Sequence, residues 1–145
     1  MEIHFASTDE QLLKCRKAIL ELRPHISITD YLEKATLLLS EGAKMIYVDN
    51  GEPDAPAVSV FRVNYYFYRG KNLYIDDLST MAAERGKGYA GALIDFIIDY
   101  AREQGCDNIH LDSGYGSDRF TAHRLYLNKG FYLSSHHFTL DLKGT

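Results

Sequence analysis

A glycine-rich stretch lies between a strand-like run, Leu73 to Thr80, and a helix-like run that reaches about Gln104. Its residues are Arg85, Gly86, Lys87, Gly88, Tyr89, Ala90 and Gly91. Glycines remove side chains where the backbone turns, so several N–H groups can point into one small space. The first turn of the helix adds unpaired N–H groups and the positive end of the helix dipole. The stretch therefore predicts a loop that binds an anion such as a pyrophosphate, beside the full charges of Arg85 and Lys87.

Three phosphate-binding patterns compete for this stretch. A P-loop requires Gly-Lys-Ser/Thr, but Lys87 is followed by Gly88. The dinucleotide fingerprint G-x-G-x-x-G is present at Gly86, Gly88 and Gly91. In that fingerprint the strand turns directly into the first glycine, whereas here the spacer 81–85 indicates a longer loop. A nicotinamide-dependent oxidoreductase would also need further strand-helix-strand crossovers, and the sequence predicts one.

The third pattern, Arg/Gln-x-x-Gly-x-Gly/Ala, is satisfied by Arg85, Gly88 and Ala90. It resembles the pyrophosphate loop of the GNAT acetyltransferase superfamily, which follows the fourth strand after a short spacer. The resemblance implies that acetyl-CoA is the acyl donor and that residues 85–90 hold its pyrophosphate. It also implies main-chain contacts from Leu78 and Thr80 to the pantetheine arm.

A second motif follows some way along the chain, with Ala122, Tyr126, Gly130 and Phe131 in the pattern Ala-x-x-x-Tyr-x-x-x-Gly-Phe. This pattern also resembles the GNAT superfamily, and the resemblance implies that Tyr126 protonates the departing CoA thiolate. Standing alone, Tyr126 would be interpreted as a core tyrosine. The sequence departs from the superfamily at Arg119, where Asn is frequent.

Two adjacent acids, Asp76 and Asp77, lie in a strand that otherwise looks buried. Strand alternation predicts that they face opposite sides, with Asp76 on the side of Leu78 and Thr80. A carboxylate inside a sheet is costly unless it is hydrogen-bonded or used in function. Both interpretations stay open from the residues alone. The resemblance implies that one of the two helps remove a proton from the acceptor amine, directly or through water.

The length of 145 residues predicts a single domain, residues 1–145. Periodicity along the chain predicts the element order β-α-α-β-β-β-α-β-α-β. The first helix should run from Asp9 to Leu22, and the last strand should begin at Phe131. This order matches the GNAT α/β fold, which has a mixed, mostly antiparallel central sheet. The resemblance implies that this sheet is split at strands 4 and 5 and that the cofactor enters the split.

Composition narrows the remaining function classes. The formal net charge of −4 argues mildly against nucleic-acid binding, and no apolar run approaches a membrane span of ~18 residues. The first residues lack the features of a secretion signal, which predicts a cytoplasmic protein. Cys15 and Cys106 do not have metal-ligand spacing, so no metal site is predicted.

The predicted activity is N-acetyltransfer, in which an acetyl group passes directly from acetyl-CoA to an amine of a small molecule or peptide. The alternative is a noncatalytic acyl-CoA-binding sensor or interaction domain, for which Arg119 is the best support. A homodimer is a further expectation, through the aromatic third strand or the last strands. The sequence does not name the acceptor amine.

Overall fold

The computed structural model describes residues 1–143. The strands are β1 (Glu2–Phe5), β2 (Lys44–Asp49), β3 (Ala57–Tyr66), β4 (Gly70–Thr80) and β5 (Asn108–Leu111). The helices are α1 (Asp9–Leu22), α2 (Tyr31–Ser40), α3 (Tyr89–Glu103) and α4 (Phe120–Asn128), with short 3-10 turns at Ala82–Glu84 and Ser117–Arg119. Contacts divide the chain into unit 1, Met1–Leu111, and unit 2, Asp112–Thr145, of which residues 112–143 are described. None of the described helices is long and apolar enough to cross a membrane.

The sheet of unit 1 has the strand order β1-β2-β3-β4-β5. Neighbours from β1 to β4 pair antiparallel, and β5 joins β4 in parallel. A parallel neighbour requires a crossover connection, and α3 supplies it between β4 and β5. The predicted α/β fold with a mixed, mostly antiparallel sheet is therefore confirmed.

Helices cover both faces of this sheet, and the alternation along β2 shows how. Met45 and Tyr47 belong to the core cluster beneath α1 and α2, whereas Ile46 and Val48 belong to the cluster beneath α3. Successive side chains of a strand point to opposite faces, so both sets are buried. The apolar run of β2 thus reflects a strand that is covered on two sides.

Helix α1 begins and ends where the sequence predicts. Its first turn is closed by a capping box, in which the Gln11 amide N–H donates to Thr8 Oγ1 at 3.2 Å and the Thr8 N–H donates to Gln11 Oε1 at 3.2 Å. This reciprocal pair satisfies two of the N–H groups that a helix start leaves open. Pro24 follows soon after Leu22 and cannot continue the helix.

The predicted last strand is the part of the element order that differs. Residues 131–143 form neither helix nor strand, and the Phe131 N–H donates to Tyr126 O at 3.0 Å. A strand needs ladder hydrogen bonds to a neighbouring strand, and at Phe131 the helix end has taken the donor instead. Phe138, Leu140 and Leu142 alternate along this segment as the apolar residues of a strand do, but all three are exposed.

Candidate active site

The glycine loop delivers the chain from β4 into α3 with two left-handed residues. Gly86 has φ +82° and Gly88, the N-cap of α3, has φ +84°. A Cβ added to either would meet no atom within 4 Å, so glycine is needed for the backbone angle and leaves open space. The N–H groups at the start of α3, from Tyr89 onward, precede the first helical bond, Ala92 N–H to Gly88 O at 3.1 Å. The loop therefore has the geometry of an anion-binding helix start.

The two cations of the loop differ in their surroundings. Lys87 Nζ is paired with Glu84 Oε2 at 2.5 Å, and this hydrogen bond raises the pKa of Lys87. Arg85 is exposed and has no ion pair within residues 1–143. Arg85 therefore offers an uncompensated positive charge, whereas the charge of Lys87 is partly compensated by Glu84.

Strands β4 and β5 separate near the middle of β4. Their parallel register runs from the Asn72–Asn108 pair to the Ile75–Leu111 pair, and β4 continues alone on that side to Thr80. On its other side this stretch pairs with β3, for example Leu78 with Ser59. One edge of the later part of β4 therefore has no ladder partner in β5, which is the expected position of the split. Main-chain contacts from Leu78 and Thr80 stay a prediction.

A bulge in β4 corrects the predicted orientation of the two acids. Val60 lies opposite Asp77, but Phe61 lies opposite Ile75, so Asp76 is the extra residue. The Asp76 carboxylate accepts from Arg62, with Nη2 to Oδ2 at 2.6 Å and Nε to Oδ1 at 3.2 Å. Arg62 alternates with Phe61 of the α3 face, so it belongs to the α1 and α2 face. Both carboxylates therefore serve that face, because a bulge interrupts the alternation.

Asp77 is held by a second arginine, which caps the end of α1. Arg23 Nε donates to Asp77 Oδ1 at 2.7 Å, and its Nη2 lies 2.6 Å from the same oxygen. Nη2 also donates to the main-chain oxygen of Asp76 at 3.2 Å. The side chain of Asp77 is 14% exposed, so the ion pair supplies a charge partner that this position needs. The bulge is thus held by two arginines, because Arg62 binds the Asp76 carboxylate and Arg23 binds the Asp77 carboxylate.

The sequence interpretation missed both arginines. Arg62 could have been found, because a buried acid in β4 requires a cation and the preceding hairpin strand carries Arg62. Arg23 has no such signal, since it is 54 positions from Asp77 and its contact depends on how α1 packs. The acids therefore have structural partners whether or not they take part in catalysis.

A cavity of about 280 Å³ lies between α1, α2 and the sheet, and Asp77 forms part of its wall. Most of the remaining wall is apolar, including Ile19, Ile26, Leu38, Met45 and Val60. Tyr31 also lines the cavity, and its hydroxyl donates to Leu12 O at 2.7 Å. Burial raises the pKa of Tyr31, so this phenol is a neutral, fixed part of the wall.

The second motif forms the C-terminal end of α4 in unit 2. Gly130 has φ +97°, its N–H donates to Leu127 O at 3.1 Å, and the Phe131 N–H donates to Tyr126 O at 3.0 Å. These two bonds define a Schellman motif, and the ring centroids of Tyr126 and Phe131 lie 6.0 Å apart. The Tyr-x-x-x-Gly-Phe spacing thus matches the residue positions of a Schellman C-cap, with Tyr126 accepting the Phe131 N–H bond.

The Tyr126 phenol is suited to carry a proton at neutral pH. Burial raises its pKa, and the Arg119 guanidinium lowers it by a smaller amount. Arg119 itself is the N-cap of α4 and makes no side-chain capping bond. The phenol thus keeps its proton at neutral pH, as a proton donor must.

One group of side chains outside this region has the composition of a metal site. Glu2, His4 and Asp49 bring ligand atoms within 4.8 Å of one another at the β1 edge. His4 Nε2 is 3.0 Å from Glu2 Oε2, and Lys14 Nζ is 3.5 Å from Asp49 Oδ1. Asp49 is thus paired with the Lys14 cation and Glu2 is hydrogen-bonded to the His4 ring, so both carboxylates already have partners.

Comparison with known proteins identifies the family. Residues 21–131 match the model of the Acetyltransferase (GNAT) family, so the chain belongs to this family. It is 34% identical over 121 residues to YhdJ of Bacillus subtilis (strain 168), an uncharacterized N-acetyltransferase, covering 81% of this chain and 82% of that protein. The family and this relative show that the chain is an N-acetyltransferase enzyme, as the sequence predicts.

Two further comparisons concern a shorter segment and the fold. The chain is 30% identical over 64 residues to thialysine N-epsilon-acetyltransferase of Bos taurus, covering 42% of this chain and 38% of that protein. The solved structure of ribosomal-protein-alanine N-acetyltransferase from Brucella melitensis biovar Abortus 2308 aligns with a TM-score of 0.80. That alignment covers 98% of this chain and 100% of the other at 16% identity, and it therefore shows a shared fold.

Proposed function

We propose that the protein transfers the acetyl group of acetyl-CoA directly to an amine and acts as one acetyltransferase domain. The observation that carries this proposal is the glycine loop, where Gly86 and Gly88 have positive φ and open space at the start of α3. A bulky side chain at these positions would fill the space that a pyrophosphate requires. Acetyl-CoA, when bound, supplies the acetyl group as a reactive thioester.

The cofactor-binding residues are assigned along β4 and the loop. Amides of residues 86–90 bind the pyrophosphate. Arg85 adds a full positive charge, whereas the charge of Lys87 is partly compensated by Glu84. Main-chain groups of Leu78 and Thr80 orient the pantetheine arm, which is supported by the absence of a β5 partner beyond Ile75 in the register. These groups are held in place by β3, so they are preorganised before a ligand arrives.

Proton transfer is assigned to Tyr126 and to one of the two acids. The acceptor nitrogen bonds to the acetyl carbon, the C–S bond breaks, the thiolate takes the proton of Tyr126, and the amine loses its own proton. We favour Asp77 over Asp76 as the acceptor of that proton, because Asp77 lines the cavity and its bonds to Arg23 use Oδ1. Both oxygens of Asp76 accept from Arg62.

The acceptor is an amine of a small molecule or a peptide. The thialysine acetyltransferase relative is named for an amine of an amino-acid analogue, and it supports a small acceptor. A cytoplasmic location fits the two free thiols, Cys15 and Cys106. We also propose a homodimer. One candidate surface is formed by the exposed aromatic residues at the β3–β4 turn, where Phe67 and Tyr68 lie beyond the end of β3.

The cofactor site is tested by calorimetric titration of acetyl-CoA and NADH into the wild type, Gly88→Glu and Gly51→Glu. Gly51 is a matched control because its φ is +86° and a Cβ there also meets no atom within 4 Å. We expect acetyl-CoA binding to weaken at least about 100-fold in Gly88→Glu, since a carboxylate would occupy and charge the anion site. Gly51→Glu should bind as the wild type does.

Failure of folded wild-type protein to bind acetyl-CoA would overturn the proposal. Equal loss of binding in both variants would assign the effect to backbone strain and not to the site. Tight binding of NADH in place of acetyl-CoA would return the loop to the dinucleotide alternative. Thiol release with a panel of primary amines then measures transfer itself.

A further inference from the structure

The cavity beneath α2 has an excess of positive charge, and the inference drawn from it rests on the proposed function. Arg23, His25 and Lys34 line it together with a single acid, Asp77. Arg23 and Asp77 compensate each other through their contact of 2.6 Å. The charge of Lys34 is therefore left over, and His25 adds an imidazole to the same wall.

Lys34 occupies a position where a core-facing helix normally has an apolar residue. Tyr31, Lys34, Ala35 and Leu38 all line the cavity, and their spacing is that of one face of a helix. Tyr31 is 2% exposed and Ala35 is 3% exposed, so this face is the inner one. Lys34 itself is exposed, and it forms no ion pair or side-chain hydrogen bond within residues 1–143. An unpaired ammonium group at the rim of an apolar cavity is a binding group for an anion.

The size and the lining of the cavity limit what that anion can belong to. A volume of about 280 Å³ lies just below the usual range of ligand sites, roughly 300–1,000 Å³, and therefore suits a small molecule. Aliphatic side chains make up much of the wall, with Ile26, Leu38 and Val60 among them. Asp77 lies on β4, the strand that leads into the glycine loop. The cavity thus offers an acid on β4, apolar walls and a cation on α2.

We propose that the acceptor is a small ω-amino carboxylate. Its amine lies toward Asp77, its hydrocarbon segment packs against the apolar walls, and its carboxylate pairs with Lys34. This arrangement uses the acid, the apolar walls and the Lys34 ammonium group, and it leaves the amine on the side of β4. A simple alkylamine would leave the Lys34 charge without a partner, and a large protein substrate would not need a cavity of this size.

The test compares three acceptors of equal length: ε-aminocaproate, its carboxamide and n-hexylamine. KM is measured by thiol release in the wild type, Lys34→Glu and Lys44→Glu. Lys44 is the matched control, because it is exposed at the start of β2 and does not line the cavity. We expect KM for ε-aminocaproate to be about tenfold lower than for the other two, and this preference to disappear in Lys34→Glu only.

Binding of ε-aminocaproate to the CoA complex is measured by calorimetry in the same three proteins. If acetyl-CoA binds but no amine is acetylated, the proposed function fails, and binding that depends on Lys34 still supports the cavity assignment. Equal KM values for the three amines, or equal losses in Lys34→Glu and Lys44→Glu, would overturn the inference. No binding of ε-aminocaproate to the wild type would do so as well.

Discussion

Gly88 and Gly130 both have a positive φ, but they lie at opposite kinds of helix end, the start of α3 and the end of α4. Gly88, at φ +84°, precedes the first residue of α3 and leaves the N–H groups of that helix start without helical acceptors. Gly130, at φ +97°, follows α4, and its N–H and that of Phe131 satisfy carbonyls of the last turn. The first glycine exposes backbone donors for a ligand, and the second closes a helix.

This difference separates the two motifs that first suggested the family. The glycine-loop motif has few internal partners for its amides, which is typical of a binding site. The Tyr126 motif is fully accounted for as a helix C-terminus with an aromatic contact to Phe131. A catalytic role for Tyr126 is therefore additional to a structural role, and point variants can separate the two roles.

Tyr126→Phe gives the largest expected effect. The variant keeps the ring beside Phe131 but lacks the phenol proton, so kcat should fall about 100-fold while acetyl-CoA affinity and the melting temperature stay near wild type. Steady-state thiol release, calorimetry and thermal unfolding measure these three quantities. Tyr132→Phe is the control for loss of an exposed phenol. Unchanged kcat in Tyr126→Phe would leave the residue with its helix-end role alone.

Gly88→Ala and Gly130→Ala form the second pair. Each puts a Cβ on a left-handed residue, which costs about 1–2 kcal/mol of unfolding free energy. The affinity for acetyl-CoA should fall about tenfold in Gly88→Ala, because the loop amides are moved from the anion site. It should be unchanged in Gly130→Ala. Urea unfolding and calorimetry measure the two effects, and a similar loss of affinity in both variants would contradict the division of roles.

Arg85→Ala and Lys87→Ala sharpen the description of the loop. Arg85 has no ion pair in the described chain, whereas Lys87 is paired with Glu84 at 2.5 Å. Arg85→Ala should therefore weaken acetyl-CoA binding about threefold at low salt, and Lys87→Ala should do less. Titrations at two salt concentrations measure this difference. A larger effect of Lys87→Ala would show that the Glu84 pair opens when the ligand binds.

The smallest effect is a pH dependence of stability. Burial raises the pKa of Tyr126 in the folded protein, so folding favours the protonated phenol. Its contribution to the free energy of unfolding is complete below the unfolded-state pKa of about 10 and is lost as pH rises through the folded pKa. Urea unfolding from about pH 8 to about pH 11 should show a smaller decline of the unfolding free energy in Tyr126→Phe than in the wild type. An equal decline would assign it to other groups, such as buried Tyr31.

The elements that could be predicted are those with local causes. Helix α1 was predicted from Asp9 to Leu22 because its capping box and Pro24 are sequence neighbours of its ends. Loop residues 85–90 were predicted because closely spaced glycines between a strand and a helix permit the left-handed backbone of a tight turn. The final strand was wrong as a prediction, since a strand forms only where a neighbouring strand shares its hydrogen bonds.

The orientation of the acids was decided by tertiary structure. Alternation placed Asp76 and Asp77 on opposite faces, but the bulge against Val60 and Phe61 makes Asp76 the extra residue. A bulge depends on how two strands are paired, and the residues of β4 alone do not carry that information. The cavity is likewise made by side chains of α1, α2 and three strands that meet when the sheet is covered.

The sequence by itself determined the family, the mixed α/β class, the glycine loop and the tyrosine motif. These features depend on residues that are close along the chain, where backbone preferences and helix ends act directly. Tertiary structure decided which cation each acid meets, and it left Lys34 unpaired at the rim of an apolar cavity. Such contacts join distant segments, and packing chooses among many residues of the same type. For that reason acetyl transfer could be predicted from the sequence, and the acceptor class could be proposed only from the fold.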